Sequence, residues 1–123
     1  MKAILIYEPD PDLLEIICLA LEMRGSKTIG LNDLNTGIMA LIQLHDPGLI
    51  LMDFAYKGEC CINWCRQIKC LYPNLPILAV SCNYNIRDRY NGSGFDDCIS
   101  KPFDLEHLYL TVDRYINRLY QVC

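Results

Sequence analysis

Five polar residues stand directly behind apolar runs. Glu8 and Asp10 follow Ala3-Ile4-Leu5-Ile6-Tyr7, Asp53 closes Leu49-Ile50-Leu51-Met52, Ser81 follows Ile77-Leu78-Ala79-Val80, and Lys101 follows Cys98-Ile99-Ser100. Carboxylates, a hydroxyl and one ammonium brought to a single place form the inventory for holding a divalent cation and a phosphoryl group. Each residue also has a plainer role when taken alone. An aspartate commonly begins a turn, Asp10 is placed to cap a helix, and a loop lysine is usually solvated. Which role applies depends on the elements that carry these residues.

The runs at 3–7, 49–52 and 77–80 are continuously apolar and bounded by turn residues such as Pro47-Gly48, the pattern of strands buried on both faces in a parallel sheet. Between them the periodicity changes to that of helices. Asp10 as N-cap, Pro11 in the first turn and the stripe Leu13, Leu14, Ile17, Leu21 predict a helix that Gly25 ends in a left-handed conformation. Thr28-Ile29-Gly30-Leu31 predicts a short strand at a sheet edge, weakened by its glycine. Asn35 to Leu44 carries Ile38, Leu41 and Ile42 at helical spacing and closes at His45-Asp46-Pro47.

After Asp53 a loop over Phe54 to Gly58 precedes a helix from Glu59 to Leu71 with Ile62, Cys65 and Ile68 on one side; Trp64 reads equally as core or as partner surface. Pro73-Asn74-Leu75-Pro76 breaks that helix. Asn83 to Gly94 is rich in Asn and Gly, so a fourth helix there is expected to be short or frayed. Cys98-Ile99-Ser100 makes a brief fifth strand, and Phe103-Asp104 caps a last helix whose stripe is Leu105, Leu108, Val112, Ile116 and Leu119.

Five strands alternating with five helices predict an α/β fold, a doubly wound five-stranded parallel sheet covered on both faces. In such sheets the ligand crevice lies beyond the carboxyl ends of the strands. Glu8, Asp10, Asp53, Ser81 and Lys101 all fall on that edge.

Composition narrows the function. A chain of 123 residues is expected to form a single domain over 1–123. The formal net charge of -4 and the lack of a Lys/Arg cluster argue against a nucleic-acid or anionic-membrane surface, both of which need a basic face. No apolar run reaches the ~20 residues of a membrane span, and Met1-Lys2-Ala3-Ile4 leads straight into a strand, so a cytoplasmic protein is expected. The eight cysteines form no CxxC pair and mostly lie inside apolar patterns, as small buried hydrophobes do. Cys61 and Cys65, spaced i, i+4, would share a helix face, but nothing supplies further metal ligands.

The sequence resembles the receiver domain of two-component response regulators over nearly its whole length. Pro47-Gly48-Leu49-Ile50-Leu51-Met52-Asp53 is similar to that family's third strand with its phosphoacceptor, and Gly94-Phe95-Asp96-Asp97-Cys98-Ile99-Ser100-Lys101-Pro102-Phe103 to its fifth-strand signature, with Ser81 between them. The resemblance implies a flavodoxin-like (CheY-like) sheet of order 2-1-3-4-5. It implies a regulatory phosphoacceptor rather than an enzyme: Asp53 takes a phosphoryl group from a sensor histidine kinase, a phosphotransfer protein or a small acyl phosphate, to switch a downstream output protein or domain. It further implies Mg²⁺ held by Glu8, Asp10, Asp53 and the carbonyl of Ala55, phosphoryl contacts from Lys101 and Ser81, and a cis peptide between Lys101 and Pro102. By the same analogy two copies would pair through the fourth helix, fifth strand and fifth helix, with Tyr109, Tyr115 and Tyr120 on the outward side of the last helix or at the periphery of the core.

The departures from that family's pattern are chemical. Two adjacent acids usually follow the first strand, and here Glu8 and Pro9 stand there; proline offers only its carbonyl. Asp10 would have to replace the missing acid while also capping a helix. Cys98 stands where an aromatic residue is usual and Lys57 where a proline is usual, and the segment from Ser81 to Gly94 is shorter than is typical. Two functions stay open on these residues, a phosphorylation switch and a degenerate receiver acting as a phosphorylation-independent interaction module. A flavin-binding or small-molecule enzyme on the same topology is opposed by Glu8, Asp10 and Asp12, which would repel a phosphate at the first loop.

Overall fold

The computed structural model describes residues 2–54, 58–81, 94–101 and 103–116. Five strands, β1 (Ile4–Tyr7), β2 (Thr28–Leu31), β3 (Leu49–Asp53), β4 (Ile77–Ser81) and β5 (Asp97–Ser100), form one sheet in the order β2-β1-β3-β4-β5, every pairing parallel. Helices α1 (Pro11–Met23), α2 (Ile38–His45), α3 (Gly58–Leu71) and α4 (Leu105–Ile116) cover it. This is the doubly wound α/β, flavodoxin-like arrangement expected, with β2 at the edge. The fourth of the five expected helices falls on residues 83–93, which lie outside the described ones, as do Ala55, Lys57, Pro102, Leu119 and Tyr120 and therefore the expected cis peptide.

The apolar runs are explained by which layers they separate. Ile50 and Met52 face the layer that holds Leu5, Ile38, Ile42, Cys65, Ile68 and Phe95, whereas Leu49 and Leu51 face the layer of Ile4, Ile6, Ile17, Leu21, Leu108 and Val112. A strand flanked by two apolar layers has no polar face to alternate with, so period two disappears from its sequence. β3 lies between β1 and β4 and is buried throughout, Asp53 included. Among the described helices, none is long and apolar enough to cross a membrane.

Local structure departs from expectation in three places. The helix expected from Asn35 starts only at Ile38. Asp33 accepts a hydrogen bond from the Asn35 amide at 2.9 Å and caps a short 3₁₀ turn over Leu34–Thr36, and Gly37 at φ 100° then resets the backbone before α2. Tyr115, placed by sequence on an outward or peripheral position, is core: its ring is buried and its hydroxyl donates to Asp97 Oδ2 at 2.9 Å and to the Asp96 carbonyl at 3.3 Å. Leu105, assigned to the buried stripe, is instead half exposed. Tyr109 is half buried and donates to the Ala20 carbonyl at 3.2 Å, beneath the Arg24 guanidinium 4.4 Å from its ring, which ties α4 to α1.

The junction before β5 is closely fitted. Gly94 has φ 101°, and a Cβ there would meet Cys65 Sγ at 3.3 Å, while Asp96 accepts from Lys69 at 2.7 Å and from the Ile77 amide at 2.8 Å. Gly94→Ala is therefore expected to lower stability by about 1–2 kcal/mol, measured as a shift in urea midpoint at unchanged slope.

Among the described cysteines, Cys61 and Cys65 are buried as packing residues. Burial pushes the Cys65 thiol up to about 11, with Lys69 and Asp96 acting in opposite directions, whereas Cys70 is exposed. A thiol with so high a pKa is neutral at pH 8, and the thiolate is the reacting species. Iodoacetamide at that pH is expected to alkylate Cys70 and leave Cys65 unmodified in folded protein, as peptide mass mapping would show.

Candidate functional site

Parallel register brings the polar residues together. Tyr7 pairs with Met52, which sets Glu8 level with Asp53, and Ser81 pairs with Ser100, which sets Lys101 one step beyond. Backbone bonds hold these strand ends in place: the Glu8 amide donates to the Leu31 carbonyl at 3.0 Å, Phe54 to Val80 at 2.7 Å and Lys101 to Ser81 at 2.7 Å. Glu8, Asp53 and Ser81 are all buried.

From this edge Lys101 reaches back over both acids. Its ammonium donates to Asp53 Oδ1 at 2.6 Å and to Glu8 Oε1 at 2.7 Å, distances of charge-assisted hydrogen bonds. The second oxygen of Glu8 accepts from the Asp10 amide at 3.2 Å. Burial raises the pKa of the Asp53 carboxyl; Lys101 pulls it back, Glu8 adds to the rise, and the net direction is upward. For Lys101, burial alone would lower the pKa, but the hydrogen bonds and charges of Asp53 and Glu8 outweigh it and hold the ammonium above the ordinary lysine value. Two acids around one base favour bound protons at both groups.

The remaining expected residues separate. Asp10 faces its own helix, where Oδ1 accepts from the Asp12 amide at 3.0 Å as the N-cap of α1. Ala55 lies outside the described residues. Among those described, no group of three His, Cys, Asp or Glu side chains converges in a way that would hold a metal ion. Among the described residues the carboxylates at this edge that could take part in holding Mg²⁺ are Glu8 and Asp53, each bonded to the Lys101 ammonium through one oxygen. By themselves these two carboxylates do not make up a Mg²⁺ site among the described residues.

One contact had no legible signal in the sequence. The Cys61 thiol donates to the Asp53 carbonyl at 3.1 Å and so ties α3 to the end of β3. Its spacing to Cys65 shows only that the two share a helix face.

A buried aspartate at the carboxyl end of a central parallel strand, bonded to a lysine from the end of the fifth, sits within a continuous family match. The sequence profile of the response regulator receiver domain matches residues 4–113, a span that contains every strand and all of Glu8, Asp53, Ser81 and Lys101. The chain belongs to the response regulator receiver domain family. This receiver is 27% identical over 124 residues to the phosphate regulon transcriptional regulatory protein PhoB of Escherichia coli, covering 96% of the chain and 53% of PhoB. It is 29% identical over 122 residues to the DNA-binding dual master transcriptional regulator RpaA of Synechocystis, covering 96% of the chain and 50% of RpaA. The receiver therefore spans about half the length of the curated relatives it matches. Among solved structures, a two-component response regulator from Clostridium difficile superposes with a TM-score of 0.84 at 23% identity, covering 97% of this chain and 98% of that one, which shows the shared fold.

Proposed function

We propose that this receiver accepts a phosphoryl group on Asp53 and thereby switches its contacts with an output protein or domain. The observation that carries the reading is the Asp53 carboxylate, buried at the carboxyl end of β3 with the Lys101 ammonium 2.6 Å away. A carboxylate oxygen of Asp53 attacks phosphorus in line with the donor's leaving group. The bond to the donor, a phosphohistidine nitrogen or the oxygen of a small acyl phosphate, breaks as the new P–O bond forms. Lys101 neutralises charge on the phosphoryl oxygens, and Ser81, at the adjacent strand end, supplies a hydroxyl for hydrogen bonding. The donor in this reading is a sensor histidine kinase or a phosphotransfer protein, and the role is regulatory.

A second reading, a phosphorylation-independent interaction module, is favoured by one specific observation: Glu8 shares the lysine that the phosphoryl group would need, at 2.7 Å. Intact mass spectrometry after incubation with acetyl phosphate, and separately with a phosphorylated histidine phosphotransfer protein, distinguishes the two. The switch predicts a single hydroxylamine-labile adduct in wild-type protein and none in Asp53→Asn. No adduct from either donor, in protein shown to be folded by circular dichroism, leaves the constitutive module as the function.

A further inference from the structure

A cleft of about 270 Å³ opens at the amino edge of the sheet, where α2 and α3 end and the chain turns into β3 and β4. The length of β3, ~13 Å of strand, separates it from Asp53 at the carboxyl edge. Ile42 and Pro47 are buried at the floor of the cleft, and half-buried Tyr72 and Leu75 form a wall. The Tyr72 hydroxyl has no hydrogen-bond partner among the described residues. Lys2 and Asp46 stand at the mouth as an exposed ion pair of 3.2 Å.

The size of the cleft selects the body of a ligand. A dry cavity of about 150 Å³ takes one benzene ring and drug-sized sites occupy about 300–1,000 Å³, so 270 Å³ suits one ring with a short polar arm. The charge at its mouth selects the arm. The carbonyl ends of α2 and α3 each carry about half a negative charge, while Lys2 and Asp46 cancel one another, so a cation is attracted and an anion repelled. The basic residues of those last turns change this little, because Lys69 is paired with Asp96 at 2.7 Å and His45 is exposed to solvent. An exposed ion pair is weak, so an incoming ammonium can take Asp46 from Lys2.

We propose that this cleft is a ligand site for a small arylalkyl amine. The ring packs between Tyr72, Leu75 and the floor of Ile42 and Pro47, and the ammonium binds Asp46 in place of Lys2, which gives the receiver a ligand input at the edge opposite Asp53. Lys2 is then a built-in competitor for that carboxylate. Asp46 is held at the mouth by a left-handed backbone of φ 47°, with its amide donating to the Ile42 carbonyl at 2.9 Å. The site is independent of whether Asp53 is phosphorylated.

Titration of ¹⁵N-labelled wild-type protein with 2-phenylethylamine hydrochloride at low ionic strength tests the proposal. Saturable shifts are expected at the Asp46, Gly48 and Leu75 amides, with those of Glu8 and Lys101 unmoved. Phenylacetate, the same ring with an anionic arm, is expected to bind ~10-fold more weakly, and so is n-butylamine, which has the charge without the ring. No saturation at millimolar amine, or equal binding of either comparison compound, overturns the site, and neither result depends on a variant that has to fold. The two partners at the mouth have opposite expected signs: Asp46→Asn weakens the amine ~3- to 5-fold, whereas Lys2→Gln tightens it ~2- to 5-fold. Affinity that is unchanged in both variants, or reduced in both, overturns the placement of the ammonium on Asp46 in competition with Lys2.

Discussion

Lys101→Ala is expected to slow phosphoryl transfer from acetyl phosphate to Asp53 by roughly 10²–10³-fold, the usual consequence of removing one preorganised donor from a developing anion. The effect is large because the incoming group is anionic and Glu8 already adds negative charge beside Asp53, so the ammonium is the one cation among the described residues at that edge. Adduct formation timed by intact mass spectrometry measures it. Unchanged rates would mean that the transferred group does not meet Lys101. The same variant is expected to lose stability, by about 3–5 kcal/mol if both buried carboxylates stayed ionised and by less once one takes up a proton. The pH dependence has a definite sign. Because the folded Lys101 pKa lies above the ordinary lysine value of 10.5, its contribution is fully present below that value and is lost as pH rises through the folded one. The stability gap between wild-type protein and Lys101→Ala should therefore close on the alkaline side, as urea melts at successive pH values would show.

Leu51→Ala is the second large effect, expected to destabilise the fold by about 3–5 kcal/mol in urea denaturation. Leu51 is 2% exposed in the central strand, facing the layer shared by α1 and α4, and the cavity left there has walls on every side. Leu110→Ala is the control. That side chain is 60% exposed on α4, and the change should fall within about 0.5 kcal/mol of wild type. A similar loss in both variants would mean that the layer assignment of β3 or α4 is wrong. A partial loss of phosphoryl acceptance in Leu51→Ala protein that is still folded would follow from Asp53 riding two residues further along the same strand.

The sequence alone determined the architecture and the edge at which its chemistry lies. β1, β3 and β4 were legible because strands buried on both faces must be apolar at every position, and the polar residue that ends each run marks the carboxyl edge of the sheet. The start of α1 was legible because Asp10, Pro11 and the stripe behind them satisfy requirements that act within a few residues. Only the tertiary structure decided what local rules leave open. Asp10 was open to a cap or a metal role from sequence, and the structure shows its Oδ1 capping α1, whose backbone partners are adjacent in the chain. Lys101 and Glu8 are 93 residues apart, and their contact exists only because the β1, β3, β4 and β5 registers bring their strand ends level. The inward turn of Tyr115 depends likewise on acceptors at 96 and 97 that a helical stripe cannot reveal. Apolar burial writes a period into the chain, whereas a polar side chain chooses among partners by distance and charge in three dimensions.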